Sequence, residues 1–117
     1  MSFTRTVTLM NCRQALAYRL SKLSFRLIDR TNGRQHYPAV AMIAGSTVDW
    51  IVEPLMSVAE THLLGSTKGN QVGDVMYTHQ NTIAYTTDLF LCGKDLSFVR
   101  GHFLAVVGEL YEANADG

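Results

Sequence analysis

The residues of this sequence that could do chemistry are four histidines, several aspartates and serines, and two cysteines. The histidines are His36, His62, His79 and His102, and no two of them show the spacing of a zinc site. His62 falls on the apolar face of a predicted helix, which is more typical of a hydrogen-bonded core histidine than of a ligand. The spacing therefore predicts a protein that holds no metal ion or other cofactor.

Serine and aspartate residues offer no catalytic motif either. Ser46, Ser57 and Ser66 lack the strand–turn–helix context of a nucleophilic serine, and Gly69–Gly73 lacks the lysine and hydroxyl residue of a phosphate loop. An enzyme would need acid and base side chains that converge in space. The candidates on or near the predicted strands and the last helix are Asp74, His79, Asp88 and His102. Because nothing along the chain pairs them, we predict a protein that is not an enzyme.

Composition indicates one folded domain over residues 1–117. Apolar residues make up 47% and charged residues 17% of the chain, which is too hydrophobic for a disordered segment. The longest charge-free run, Gln35 to Val48, contains Pro38 and Gly45, so we predict no membrane span. Cys12 and Cys92 each stand among apolar neighbours, which favours reduced thiols in an intracellular protein.

Charge is divided unevenly although the net charge is zero. Residues 1–34 carry seven cations and one acid, whereas residues 35–117 carry three cations and nine acids. The two sets could mix on the surface, form complementary patches between copies, or face an anion such as nucleic acid. Zero net charge argues against a general nucleic-acid binder. The arginines that could form a basic interface are Arg13, Arg19, Arg26, Arg30 and Arg34.

Hydrophobic patterning predicts an α+β fold, a mainly antiparallel sheet with two to three helices packed on one face. Apolar residues four and three apart predict helices at Cys12–Leu23 and Leu55–Leu64 and after Asp95. Alternation or apolar runs predict strands at residues 3–9, 24–30, 35–44 and 75–92. Thr31–Gly33 reads as a hairpin turn and Gly65–Asn70 as a flexible loop.

An unusually apolar connection, Val48–Met56, suggests a binding surface. Its Trp50 could anchor a subunit interface, because tryptophan is common at interface centres. Alternatively, Trp50, Met56 and Tyr85 could line a pocket for a small ligand.

The order of elements resembles that of the tail-terminator and tail-completion proteins of tailed bacteriophages. The resemblance lies in the basic helix Cys12–Leu23, the following Tyr37-Pro38-Ala39-Val40-Ala41 segment with Gly45, and the alternating Thr82–Cys92 segment before a closing helix. It implies a structural ring subunit without catalytic residues, found in the bacterial cytoplasm or the virion. Its partners would be its own copies and other virion proteins.

Two further hypotheses stay open beside this structural role. One is a small dimeric ligand-binding or regulatory domain encoded on a mobile element. The other is an enzyme that uses the four acid and base residues named above. The uneven charge and the apolar connection favour self-association over either of them.

Overall fold

Helices make up about 90% of the chain in a computed structural model, which describes the backbone of residues 3–115. Side chains are described for Arg5 and for residues 13–112. The α-helices are α1 (Phe3–Thr31), α2 (Tyr37–Ala44), α3 (Trp50–Val52), α4 (Leu55–Val72), α5 (Val75–Leu91) and α6 (Leu96–Ala115). A 3₁₀ turn at Arg34–His36 precedes α2, and a π-helical turn at Gly45–Asp49 joins α2 to α3.

The predicted antiparallel sheet is wrong, since no strand occurs within residues 3–115 and all four segments predicted as strands are helical or lead into a helix. The threonines of α5 show the physical reason. Thr78, Thr82 and Thr86 donate their hydroxyl groups to the carbonyl oxygens of Asp74, Thr78 and Thr82, one helical turn earlier. Their side chains are thereby satisfied within a helix, although β-branched residues favour strands.

Three helices end on a residue with a positive φ angle. Asn32 (φ 55°), Gly73 (φ 77°) and Gly93 (φ 79°) follow α1, α4 and α5. In each case the next amide reaches back five residues: Gly33 N–H donates to the Ile28 carbonyl at 3.0 Å, and the other two ends repeat this bond. The Thr31–Gly33 segment therefore supplies the expected left-handed residue, but it closes a helix rather than a hairpin.

Aspartates begin the two C-terminal helices. Asp74 accepts a hydrogen bond from the Tyr77 amide at 3.1 Å, and Asp95 accepts one from the Ser97 amide at 2.8 Å. The helix predicted after Asp95 is thus confirmed. The loop predicted at Gly65–Asn70 is wrong, because α4 continues through it to Val72.

The packing is centred on α4 and α5, which lie side by side and are crossed by α2. α1 packs on α2 and the π-helical turn, and α6 packs chiefly on α5. One apolar cluster joins α1 to α2 through Ile28, Tyr37 and Ala41. No described helix is both long enough and apolar enough to cross a membrane.

The interior is unusually polar, and the surface is unusually apolar. Seven polar side chains are buried: Ser21, Asp49, His62, Thr78, Asn81, Thr86 and Asp88. By contrast, every described leucine of α1 is about half exposed or more. Since buried polar groups must find hydrogen-bond partners, the interior holds the most specific contacts of the fold.

Candidate functional site

Small residues on α4 allow α5 to approach it closely. A Cβ atom on Gly65 would lie 2.7 Å from Asn81 Oδ1 and 2.9 Å from the Ala41 Cβ, and one on Gly69 would collide with the Thr78 hydroxyl. Between these two positions, the Ser66 and Thr82 hydroxyl groups share a 2.6 Å hydrogen bond. The two glycines therefore create room for a row of polar contacts between the helices.

Asn81 extends this polar row to α2. Its fully buried amide donates hydrogen bonds to the carbonyl oxygens of Pro38 at 2.9 Å and Tyr77 at 2.8 Å. Its Oδ1 atom has no hydrogen-bond partner. The hydrogen bond to Pro38 fixes the position of α2 against α5. The unpaired Oδ1 acceptor lowers the stability of the fold, because a buried polar atom without a partner has lost its hydration.

His62 forms the centre of the most chemically suggestive group. Its Nδ1 atom lies 2.6 Å from Asp88 Oδ2 on α5, and its Nε2 atom lies 3.4 Å from Ser46 Oγ on the π-helical turn. His62 is 1% exposed, and Asp88 is also buried. A Cβ atom at position 45 would lie 2.5 Å from Nε2, so only a glycine there lets the ring lie against the backbone.

The order of these contacts assigns a role to each ring nitrogen. A carboxylate oxygen accepts hydrogen bonds, so the contact with Asp88 is satisfied by a proton on Nδ1. Nε2 then has a lone pair within 3.4 Å of the Ser46 hydroxyl, whose other neighbour is Met42 Sδ at 3.8 Å. The three side chains come from the π-helical turn, α4 and α5, and they form one chain of proton donors and acceptors.

This group lies along an apolar groove of about 540 Å³. The groove is lined by Ser46, His62 and Asp88 together with apolar side chains, among which are Met42, Trp50, Leu55, Ile83 and Leu91. A volume of this size suits a small organic molecule, and a few convergent polar groups in an apolar wall are typical of ligand sites.

A second buried carboxylate lies at the other end of the π-helical turn. Asp49 accepts a 2.8 Å hydrogen bond from Ser21, while its Oδ2 atom has no partner. Burial raises the pKa of Asp49, and the hydrogen bond from Ser21 offsets part of that effect. This contact joins α1 to the segment that carries Ser46.

Glu53, which lies between α3 and α4, also contacts α1. It accepts a hydrogen bond from Tyr18 at 2.8 Å and forms an ion pair with Lys22. Burial alone would raise the pKa of Glu53, but its contacts with Lys22 and Tyr18 outweigh burial and lower it.

The residues predicted to line a pocket or an interface are dispersed. Trp50 is 56% exposed and lines the groove, whereas Met56 lies outside its lining. Tyr85 packs against α6, with its ring centroid 6.0 Å from that of His102. The arginines predicted to form an interface are all exposed: Arg13, Arg19, Arg26, Arg30 and Arg34.

The four acid and base residues that an enzyme was predicted to use do not converge. Asp74 caps α5, His79 lies 3.9 Å from Glu109, and His102 stacks edge-on against Phe98. Of the four, Asp88 contacts another titratable group in the interior, and that partner is His62, which was predicted to be a core residue. Sixteen and twenty-six residues separate the members of the Ser46–His62–Asp88 group, so no short motif could reveal it.

Cys92 is a free, half-buried thiol, and the side chain of Cys12 lies outside the described residues. Among the described side chains, no three histidine, cysteine or acidic residues are placed to hold a metal ion. No protein-family model, curated protein or solved structure matches this chain.

Proposed function

We propose that this chain is a self-associating assembly protein whose copies pair through an apolar seam on α1. The seam consists of Leu16, Leu20, Leu23 and Leu27, which are 49–58% exposed. Their spacing of four, three and four residues is the repeat of a two-stranded coiled coil. This outward-facing row of leucines is the observation that carries the proposal.

The opposite face of α1 supports this assignment, because it is already occupied. Ser21 binds Asp49, Lys22 binds Glu53, and Phe25 packs 5.4 Å from Tyr37, centroid to centroid. These contacts fix the rotation of α1 about its own axis. The leucine seam therefore faces outwards, although Leu20 also borders a shallow groove beside α2.

The surface area also matches a subunit rather than a monomer. The chain exposes 8056 Å², whereas a compact monomer of its 13.0 kDa exposes about 6,300 Å². The excess of about 1,700 Å² per chain falls within the range of about 1,000–2,500 Å² that each subunit of an obligate homodimer buries. Its radius of gyration of 16.4 Å likewise exceeds the value of about 13.4 Å for a compact domain of this length.

Charge next to the seam favours a parallel pair. Arg19 and Arg26 flank the leucines on one side, and Ala17 and Ser24 flank them on the other. In a parallel pair each arginine faces the uncharged side of its partner, whereas an antiparallel pair brings arginines together. We therefore propose a parallel, two-fold arrangement.

A phage tail ring stays a prediction of the sequence resemblance. A ring needs two different complementary patches on each subunit, whereas a two-fold pair uses one patch twice. The Thr82–Cys92 segment on which the resemblance depends as a strand is helical up to Leu91. The seam thus supports the dimer more directly than the ring.

Sedimentation equilibrium of the full chain tests the proposal. We expect a mass of at least twice 13.0 kDa for the wild type and a single-chain mass for Leu20→Glu/Leu23→Glu. Val75→Glu is the matched control, because Val75 is 61% exposed but lies on α5, away from the seam. A wild type that stays monomeric at high concentration and floats with lipid vesicles would show that a bilayer covers the seam instead.

Cross-linking tests the parallel orientation. Leu27→Cys in a Cys12→Ser/Cys92→Ser background should form an intermolecular disulfide on mild oxidation, because equivalent seam positions meet in a parallel pair. Leu91→Cys, at a position that is more exposed than Leu27 (62% against 50%) but outside the seam, is the control. Equal cross-linking of both variants would contradict the parallel seam.

A further inference from the structure

We propose that Ser46, His62 and Asp88 form an acyl-transfer site in which Ser46 is the nucleophile towards small esters with an apolar acyl group. The inference goes beyond self-association and depends on a different region. It rests on the convergence of three side chains from three helical segments at the wall of the apolar groove.

The histidine is held as a general base. Asp88 fixes the Nδ1 proton through a 2.6 Å contact, and Nε2 is directed at Ser46. The ring is almost fully buried and lies against Gly45, which leaves it little freedom to rotate. A base held by a third group and turned towards a hydroxyl is the arrangement that activates serine nucleophiles.

Ser46 itself is accessible. It is exposed at the surface and lines the groove, so a substrate carbonyl carbon can reach its Oγ atom. Its other contact is a long hydrogen bond of 3.8 Å that its hydroxyl donates to Met42 Sδ. The 3.4 Å distance from Oγ to Nε2 is loose, as is common before a substrate binds.

The groove determines the class of substrate. Its walls are mainly apolar, with Trp50, Leu55, Ile83 and Leu91 among them. They would bury an aliphatic or aromatic acyl chain, and a volume of about 540 Å³ suits a small molecule. The substrate class that fits these walls is therefore a small ester with an apolar acyl group.

The reaction needs only the serine, the base and water. Ser46 Oγ attacks the carbonyl carbon and its proton passes to Nε2. The C–O bond to the alcohol then breaks, and the leaving oxygen takes the proton from Nε2. Water repeats the sequence on the acyl-serine: it gives a proton to Nε2, adds to the carbonyl carbon and releases the acid, while Oγ recovers its proton.

The oxyanion of the intermediate would be stabilised by side chains. Backbone amides within a helix donate to its own carbonyl groups, so the turn around Ser46 offers few free amides. Gln80 and Trp50 line the groove and carry N–H donors. Because side-chain donors are less rigid than a backbone oxyanion hole, we expect slow turnover but an activated serine.

Covalent labelling of the full chain with an alkyl fluorophosphonate is the decisive test. We expect one adduct per chain, mapped to Ser46 by peptide mass spectrometry, and hydrolysis of p-nitrophenyl butyrate that the adduct abolishes. Ser46→Ala should lose both the label and the activity. Ser66→Ala is the matched control, because Ser66 is also hydrogen-bonded at a helix contact but pairs with Thr82 rather than with a base.

Asp88→Asn tests the positioning role of the carboxylate. It should lower the maximal labelling rate by about 100-fold while the probe concentration for half-maximal rate and the circular dichroism spectrum stay unchanged. Leu20→Glu/Leu23→Glu should label like the wild type, which separates this site from self-association. No adduct at Ser46 in the folded wild type, or an adduct whose rate Asp88→Asn leaves unchanged, would overturn the proposal.

Discussion

The contact between α4 and α5 and the outer face of α1 are built from opposite residue types. The first is largely buried yet made of glycine, serine, threonine, asparagine, histidine and aspartate, and two side-chain pairs cross it at 2.6 Å, His62 with Asp88 and Ser66 with Thr82. The second is exposed yet made of leucine. The polar contact accepts only one arrangement of helices, because a shifted register would leave buried polar groups unpaired. Under the proposed self-association, a second copy of the chain covers the leucine face.

The polar interior and the leucine seam should affect two different free energies, that of unfolding and that of association. Changes in the polar interior should lower the free energy of unfolding of the chain itself, since they unpair buried groups or force helices apart. Changes on the leucine seam should alter association while leaving the folded chain intact. Four substitutions in the polar interior test whether it stabilises the folded chain, from the largest expected effect to the smallest.

Asp88→Ala should destabilise the fold most. It leaves the buried His62 Nδ1 without a partner, and we expect a loss of about 3 kcal/mol in the free energy of unfolding. Urea denaturation followed by circular dichroism measures this loss. Thr87→Ala, one residue earlier and exposed, should change stability by less than about 0.5 kcal/mol. Similar losses in both variants would show that the His62–Asp88 pair is not special.

Gly65→Ala should come next, at about 2 kcal/mol. The added methyl group would meet Asn81 Oδ1 and the Ala41 Cβ at less than 3 Å, so α4 and α5 must separate. Gly101→Ala on α6 meets nothing within 4 Å and should stabilise the chain by up to about 1 kcal/mol. Thermal unfolding of both variants checks the contrast, and stabilisation by both would mean that α4 and α5 are not tightly packed.

Ser21→Ala should cost about 1.5 kcal/mol. Among the described side chains, Ser21 alone donates a hydrogen bond to the buried Asp49 carboxylate, and the change removes it. Ser24→Ala on the same helix is the control, since the Ser24 hydroxyl donates to the Leu20 carbonyl of its own helix. Denaturant melts that rank the Ser24 variant as the less stable of the two would refute the role of Asp49.

Asp49→Asn should have the smallest effect, and that effect should depend on pH. Because the pKa of Asp49 is raised in the folded chain, its stability contribution is full at low pH and is lost as the pH rises through the folded pKa. The asparagine variant should therefore gain most over the wild type near pH 7 and lose that gain on acidification towards pH 4. Melting temperatures of both chains across this range measure it, and a pH-independent difference would contradict the raised pKa.

Sequence patterns predicted two local features at helix boundaries, although the helices predicted to end at Leu23 and Leu64 continue to Thr31 and Val72. The positive φ angle expected near Asn32 is present, and so is the cap expected at Asp95. Both depend on one residue and its immediate neighbours, so local chemistry suffices to predict them. His62 was likewise expected to be buried, because it shares a helical face with apolar residues.

The same local rules could not distinguish a helix from a strand or a loop. Thr82–Leu91 alternates like a strand, and Gly65–Asn70 has the composition of a loop. The four-residue spacing of glycines and threonines was the signal of a helix that the prediction missed. Gly65 and Gly69 face Asn81 and Thr78. Thr78, Thr82 and Thr86 each donate a hydrogen bond to a carbonyl oxygen one helical turn earlier. A glycine weakens an isolated helix, so its benefit depends on a partner helix that local patterns do not include.

By itself, the sequence determined the left-handed residue near Asn32, the cap at Asp95, and that His62 would lie inside. Tertiary structure alone decided that the chain is helical throughout the segments predicted as strands. It also decided that Ser46, His62 and Asp88 meet. The physical reason is distance along the chain. A helix cap depends on a few neighbouring residues, whereas the buried His62 side chain needs hydrogen-bond partners 16 and 26 residues away.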